Sequence, residues 1–298
     1  MRRPRLLLSG SLLAFIVVPV RPRDQRPSPV PAADTGFAAV PGGRLYYEVI
    51  GTGPTVVLLH GGNLDRRMWD EQLPVLASHF RVIRYDARGF GRSSPADTAF
   101  QAQTDLYALL QHLAVQHASL VGLSLGGRIA IDFALDHPEM VDKLLLAGPG
   151  LSGWRDWSAE DTTWLIAARR AGNANDSVAM AMSWLTSDYM RPGMKEPRLA
   201  KRLRAIAADN ATHWMGLFRH GDLERPADPS ALGRLSTIRA RTLLLVGDRD
   251  SPVIRAIVDT ISSRIRGSGV VVIHRAGHMV NLERPAEFNR ALLNFLLQ

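Results

Sequence analysis

Cysteine is absent from all 298 residues. That excludes disulfides, thiolate zinc sites, a cysteine nucleophile and a lipoprotein-type lipid anchor. It leaves the redox compartment open, since a chain without thiols suits either. No apolar run is long enough to span a bilayer comfortably, because the longest, "LLLSGSLLAFIVV", covers only residues 6–18. No basic stripe with interleaved aromatics is present, and no HExxH or other histidine–carboxylate pair stands at helical metal-ligand spacing. Gly51-Thr52-Gly53 precedes a strand pattern, whereas a phosphate cradle precedes a helix. The chain therefore reads as free of metal and organic cofactor and as no nucleic-acid binder. No internal repeat is visible.

What is present points to a globular domain. Hydrophobic residues make up 46%, enough for a large core, and charged residues at 21% argue against disorder. The net charge of +8 is misleading as a guide to partners. Residues 1–34 carry six Arg and two Asp, so half of it lies in the tail. "MRRPR" followed by the apolar run resembles a signal segment, but the nearest small-residue pattern, Val30-Pro31-Ala32, is far downstream. Residues 1–35 are set apart as leader and linker. Any membrane contact is confined to them, and localisation stays open between cytoplasm and export; oligomeric state is not legible.

The body alternates. "FAAVPGGRLYYEVIGTGPTVVLLHGG" reads as three strands joined by Gly/Pro turns. A helix near 69–78, a strand at 80–85, a helix near 104–114, a strand ending at Leu123, a helix at 126–136 and a strand at 141–147 follow. From 154 to 226 the strand signal stops and the pattern is helical, with Ser158 and Asp161 as a capping box. That block holds five of the six tryptophans. Alternation resumes with a strand at 240–248, a helix capped by Ser251 with Pro252 in its first turn, a strand "GVVVIH" and a helix at 285–297. The fold class is α/β, a mostly parallel sheet with helices on both faces. The core spans 36–153 and 227–298, and 154–226 is a helical insertion over the strands' carboxyl ends.

"ASLVGLSLGG", residues 118–127, carries the chemistry. An apolar strand ends on Ser124, Gly122 and Gly126 flank it at two residues' distance, and a helix follows. Projecting a hydroxyl from so tight a turn requires a strained backbone and bare neighbours. The helix behind it aims free N–H groups and its positive dipole end at the same spot, which suits an oxyanion. This is the G-x-S-x-G nucleophile elbow. The hydroxyl needs a base. Of nine histidines, His278 stands on the loop after the last apolar strand, while His274 reads as structural. The base needs a carboxylate, and Asp250 sits deeper in its loop than Asp248, which is better placed to brace the turn. Leu125 and Gly62 are the two oxyanion N–H donors, with Asn63 as the alternative to Gly62.

Together these residues resemble the α/β-hydrolase fold superfamily over roughly residues 36–298. The resemblance rests on His60-Gly61-Gly62, on "YDARGFGRS" at 85–93, on the elbow around Ser124, and on the pair ending in Asp250 and His278. It implies an architectural role for Asp86 and Arg88 and a cap domain at 154–226. The usual G-E-x-D pattern appears as Gly247-Asp248-Arg249-Asp250. A serine at the elbow argues against epoxide hydrolases and haloalkane dehalogenases, which use a carboxylate there. The expected activity is hydrolysis of a small, hydrophobic ester through an acyl-enzyme, the tryptophan-rich lid favouring an apolar group, although at least three of its five tryptophans are expected to pack the cap's own core. A carbon–carbon bond hydrolase, an enol-lactonase and a cofactor-free perhydrolase share the same triad. A hydrolase-like ligand receptor is the reading from another class.

Overall fold

The structure, a computed structural model, describes residues 32–157, 163–221, 223–225 and 227–298. The leader, apart from its last residues, and the Ser158–Asp161 capping box lie outside the described residues.

Eight strands form one sheet in the order β1-β2-β4-β3-β5-β6-β7-β8. They are β1 (Asp34–Val40), β2 (Gly43–Ile50), β3 (Thr55–Leu59), β4 (Arg81–Tyr85), β5 (Ala118–Leu123), β6 (Val141–Ala147), β7 (Arg241–Gly247) and β8 (Gly269–Ile273). The β1–β2 and β2–β4 pairs are antiparallel and all others parallel. The sheet thus begins at Asp34, two residues inside the segment set apart as linker.

The helices are α1 (Leu73–Ala77), α2 (Ala102–His112), α3 (Leu125–Asp136), α4 (Trp164–Asn173), α5 (Ser177–Trp184), α6 (Arg191–Met194), α7 (Pro197–Asp209), α8 (Ala211–His220), α9 (Ala231–Arg234), α10 (Pro252–Arg264), α11 (Val280–Glu283) and α12 (Pro285–Leu296). Two buried clusters divide along the sheet. One packs α2, α3 and α10 against one face, with Leu106, Ile129, Phe133 and Ile257 at its centre. The other joins the opposite face to α12 through Trp69 and Phe288 and continues into α4–α8 through Trp184, Leu203 and Trp214. β5 is buried at every residue, as a central parallel strand covered on both faces must be.

One sequence expectation needs correction, and two further features were not legible in the sequence. The helix expected near 69–78 is a 3₁₀ turn at Arg66–Trp69 and a short α1, because Pro74 suits only a helix's first turn. The last helix is preceded by a separate turn, α11. β8 reads as apolar but is an edge strand paired only with β7, leaving Val270, Val271 and Val272 exposed.

Between β6 and β7 the chain contributes α4–α9 and no strand to the sheet among the described residues. Asn210, at the end of α7, ties this segment down. Its Nδ2 donates to Asp65 Oδ2 at 2.9 Å and its Oδ1 accepts from the Gly91 N–H at 2.6 Å. Those partners belong to the loops after β3 and β4, so one buried amide joins three segments at the strands' carboxyl ends. Among the described residues no helix is long and apolar enough to cross a membrane.

Candidate active site

β5 ends at Leu123 and α3 starts at Leu125, so the whole reversal falls on Ser124. It takes φ 53° and ψ −112°, a conformation that costs an L-residue of order 1–3 kcal/mol. The flanking glycines are obligatory for space. A Cβ on Gly122 would lie 2.3 Å from the Gly126 carbonyl oxygen, and one on Gly126 would lie 2.1 Å from that of Leu59. The elbow is therefore packed against the end of β3, where the His60-Gly61-Gly62 loop begins.

His60 is buried and fixes that loop. It accepts the Ala87 N–H at Nε2, 2.9 Å away, and its Nδ1 donates to the Gly61 carbonyl at 2.8 Å. This contact pair identifies a neutral, Nδ1-protonated ring with a bracing role. Gly62 reaches the start of α3, since a Cβ there would lie 3.7 Å from Leu125 Cβ. Neither the Gly62 nor the Leu125 N–H is hydrogen-bonded among the described residues. Asn63 follows in the left-handed region at φ 64°. Asp86 accepts from the Arg66 and Arg92 backbone N–H groups and the Arg66 guanidinium. Arg88 grips Asp105 through two bonds of 2.7 and 2.8 Å. Both hold loops in place.

Asp250 and His278 meet after β7 and β8. Nδ1 of His278 lies 3.0 and 3.1 Å from the two Asp250 oxygens, and both residues are buried. Asp250 Oδ1 also accepts the Ser251 N–H at 2.8 Å. Burial disfavours the His278 cation, but the charge and hydrogen bond of Asp250 outweigh it and Glu283 adds to them. His278 is held above the ordinary imidazole value. Asp248 turns away to His274 Nδ1, 3.2 Å distant, with both at the surface side of the loop.

The loop after β6 connects these parts. The Ser124 N–H donates to Ala147 O and its carbonyl accepts from the Gly150 N–H. A Cβ on Gly148 would lie 3.0 Å from Asp250 Oδ2 and 3.2 Å from His278 Nδ1. The structure thus closes the carboxylate–imidazole contact beside the elbow. Ser124 Oγ itself makes no hydrogen bond among the described residues, so the hydroxyl–imidazole contact is unmade in this arrangement.

Sequence reasoning missed Glu283. Its carboxylate accepts the Gly277 N–H at 2.8 Å and the Met279 N–H at 3.1 Å, the residues on either side of His278. Burial lifts its carboxyl above the usual range, Asp250 adding to this while the two N–H donors and His278 pull it back. Its partners are backbone groups, which leave no sequence signal; only its position in the helical turn closing the His278 loop pointed to it.

A cavity of about 820 Å³ adjoins the elbow. Its wall includes Gly62, Asn63, Leu125, Ile129, Phe90, Phe100 and Leu223, and neither Ser124 nor His278 is part of it. Among the described residues no tryptophan lines it, in keeping with the expectation that at least three of the five pack the segment's own core. Trp184 and Trp214 are core residues, Trp164 packs edge-on against Trp214, and Trp157 faces outward. The indoles of Trp164 on α4 and Trp214 on α8 thus pack against each other between helices and not on the cavity wall. The ring of His213, tilted against Phe90 with centroids 3.9 Å apart on the cavity wall, is driven down to about 4 by burial, with His60 adding to it.

The model of the alpha/beta hydrolase family matches residues 56–291. The chain belongs to that family. It is 28% identical to a pimeloyl-[acyl-carrier protein] methyl ester esterase of Aeromonas hydrophila, across 84% of this chain and 98% of that protein. It is 27% identical to a 2-hydroxy-6-oxo-6-phenylhexa-2,4-dienoate hydrolase of Comamonas testosteroni, across 85% of this chain and 91% of that one. Among solved structures, a hydrolase from Pseudomonas aeruginosa PA01 superposes with a TM-score of 0.71 at 30% identity, covering 88% of this chain and 98% of its own. The chain is an enzyme of the α/β-fold hydrolase type.

Proposed function

We propose that the protein is a serine hydrolase that cleaves carboxylic esters through Ser124, His278 and Asp250. The observation that carries the reading is the buried contact of His278 Nδ1 with both Asp250 oxygens at 3.0 and 3.1 Å, beside a strained serine. With Nδ1–H held by the carboxylate, Nε2 is the free base. Ser124 Oγ attacks the ester carbonyl as its proton passes to Nε2, and the resulting oxyanion is received by the Gly62 and Leu125 N–H groups. The carbon–alkoxy bond then breaks and His278 protonates the departing alcohol. Water, deprotonated by His278, adds to the acyl-enzyme, and Ser124 leaves with that proton. The α4–α8 segment serves as the cap, and no metal or organic cofactor enters.

Incubation with a fluorophosphonate is expected to add the phosphonyl group to Ser124, read by peptide mass, and p-nitrophenyl esters from acetate to octanoate are expected to turn over. No adduct and no turnover on any ester would overturn the reading; saturable ligand binding without turnover would favour a receptor. The Comamonas relative's name makes a carbon–carbon bond hydrolase the second reading, and a dienoate substrate assayed beside the esters separates the two.

The pH dependence follows from His278. The ring must be neutral to accept the serine proton, and its folded value lies above the ordinary one of about 6.5. The kcat/KM therefore rises with pH through a midpoint above about 6.5, and Asp250→Asn moves that midpoint down. A wild-type midpoint below the ordinary imidazole value contradicts this assignment.

A further inference from the structure

The two sides of the candidate oxyanion pair differ. On one side the cavity of about 820 Å³ reaches Gly62 and Leu125 and extends along Ile129 to Phe90 and Phe100 and beneath α8 at Gly216. That volume lies within the roughly 300–1,000 Å³ of small-molecule sites. On the other side His278 is covered. Its backbone N–H donates to Tyr189 O at 3.4 Å, and the Tyr189 ring stands edge-on 5.3 Å from the imidazole. Pro192 closes on the neighbouring Gly277, where a Cβ would lie 2.7 Å from the proline ring.

The chemistry assigns these sides, given the serine esterase reading on which this inference rests. His278 must hand its proton to the leaving alkoxy oxygen, so the alcohol lies on the imidazole side. The acyl carbonyl oxygen lies between Gly62 and Leu125, and the acyl chain leads away from the imidazole. We infer that the cavity is the acyl subsite and that the enzyme takes esters of a bulky, uncharged acyl group with a small alcohol. The wall is apolar at Phe90, Phe100, Leu125, Ile129 and Leu223. Both of its guanidinium groups are engaged, Arg88 by Asp105 at 2.7 and 2.8 Å and Arg128 by both oxygens of Glu224 at 2.7 Å, so a carboxylate on the acyl group would have to compete with an existing partner.

Two isomeric esters test this directly. Methyl 4-phenylbutanoate carries the bulk on the acyl side, and 3-phenylpropyl acetate carries it on the alcohol side. The expected result is a kcat/KM at least tenfold higher for the methyl ester. The second arm is Gly216→Phe. A Cβ on Gly216 meets nothing within 4 Å, so the ring enters the cavity without displacing backbone. This variant is expected to lower the kcat/KM ratio of methyl 4-phenylbutanoate to methyl acetate at least tenfold. Equal rates on the isomers, a preference for the acetate, or an unchanged ratio in Gly216→Phe would overturn the acyl assignment while leaving the esterase reading intact. Absence of turnover on every ester would overturn both.

Discussion

Ser124→Ala is expected to lower kcat on any ester substrate by about a million-fold, with the fold intact. The alanine keeps the Cβ of Ser124, so it inherits the backbone conformation at φ 53° and leaves the contacts of Gly122 and Gly126 unchanged. On the proposed mechanism, what disappears is the oxygen that forms the acyl bond. Asp250→Asn is expected to cost about ten-thousand-fold, because an amide presenting its NH₂ to His278 selects the Nε2-protonated ring, which cannot accept the serine proton. Asp248→Asn is the contrast. Its carboxylate serves His274 at the surface, and kcat should change by no more than about threefold, as for a surface ion pair remote from the reacting atoms. On the proposed mechanism Ser124, His278 and Asp250 act as a unit, so the double variant of Ser124 and Asp250 should be no slower than Ser124→Ala alone. Steady-state kinetics with fluorophosphonate titration of contaminating wild-type enzyme measures all four. A Ser124→Ala enzyme retaining a tenth of the activity, or an Asp248 variant as slow as the Asp250 one, would refute the assignment.

The parts of the site legible in the sequence are those with local causes. The elbow could be read because one strand, one turn and one helix impose its glycines within five residues. Asp250 and His278 could be paired because both follow apolar strands, and consecutive parallel strands β7 and β8 bring their carboxyl ends together. Ser251 could be recognised as a cap from its place before Pro252, and its hydroxyl does accept the Ile254 N–H at 3.3 Å. What escaped depends on packing between distant segments. Glu283 acts on two backbone N–H groups, and Asn210 joins loops 119 and 145 residues away. Nothing in the identity of either residue announces such partners. The tryptophans were legible only in part. Their abundance was visible, but whether an indole faces a cavity or a neighbouring helix is decided by helix rotation, which composition does not contain. The exposed valines of β8 are similar, since an apolar run does not reveal whether a further strand lies beyond it.

Gly126→Ala is expected to destabilise the protein by at least about 3 kcal/mol, beyond the usual range for a single added methyl group. The new Cβ would stand 2.1 Å from the Leu59 carbonyl oxygen and 2.5 Å from its carbon. These are backbone atoms at the end of a central strand, so no side-chain rotation relieves the overlap. Either the amino end of α3 lifts off β3 or the chain fails to reach this packing. If it lifts, the Leu125 N–H moves away from Gly62, and on the proposed mechanism the loss of one oxyanion donor costs roughly a hundred- to a thousand-fold in kcat. Activity and stability should therefore fall together, with Tm lower by roughly 6–12 °C, at about 2–4 °C per kcal/mol for a large domain. Gly216→Ala applies the same chemical change in the middle of α8, where the added methyl meets nothing within 4 Å. There the loss of backbone freedom in the unfolded chain dominates, and stability should rise by roughly 0.5–1 kcal/mol. Opposite signs for one substitution type in one protein isolate close backbone approach as the cause. Thermal unfolding of the two variants beside the wild type decides it, and a Gly126→Ala protein melting with the wild type would show that the elbow is not packed against β3 as described.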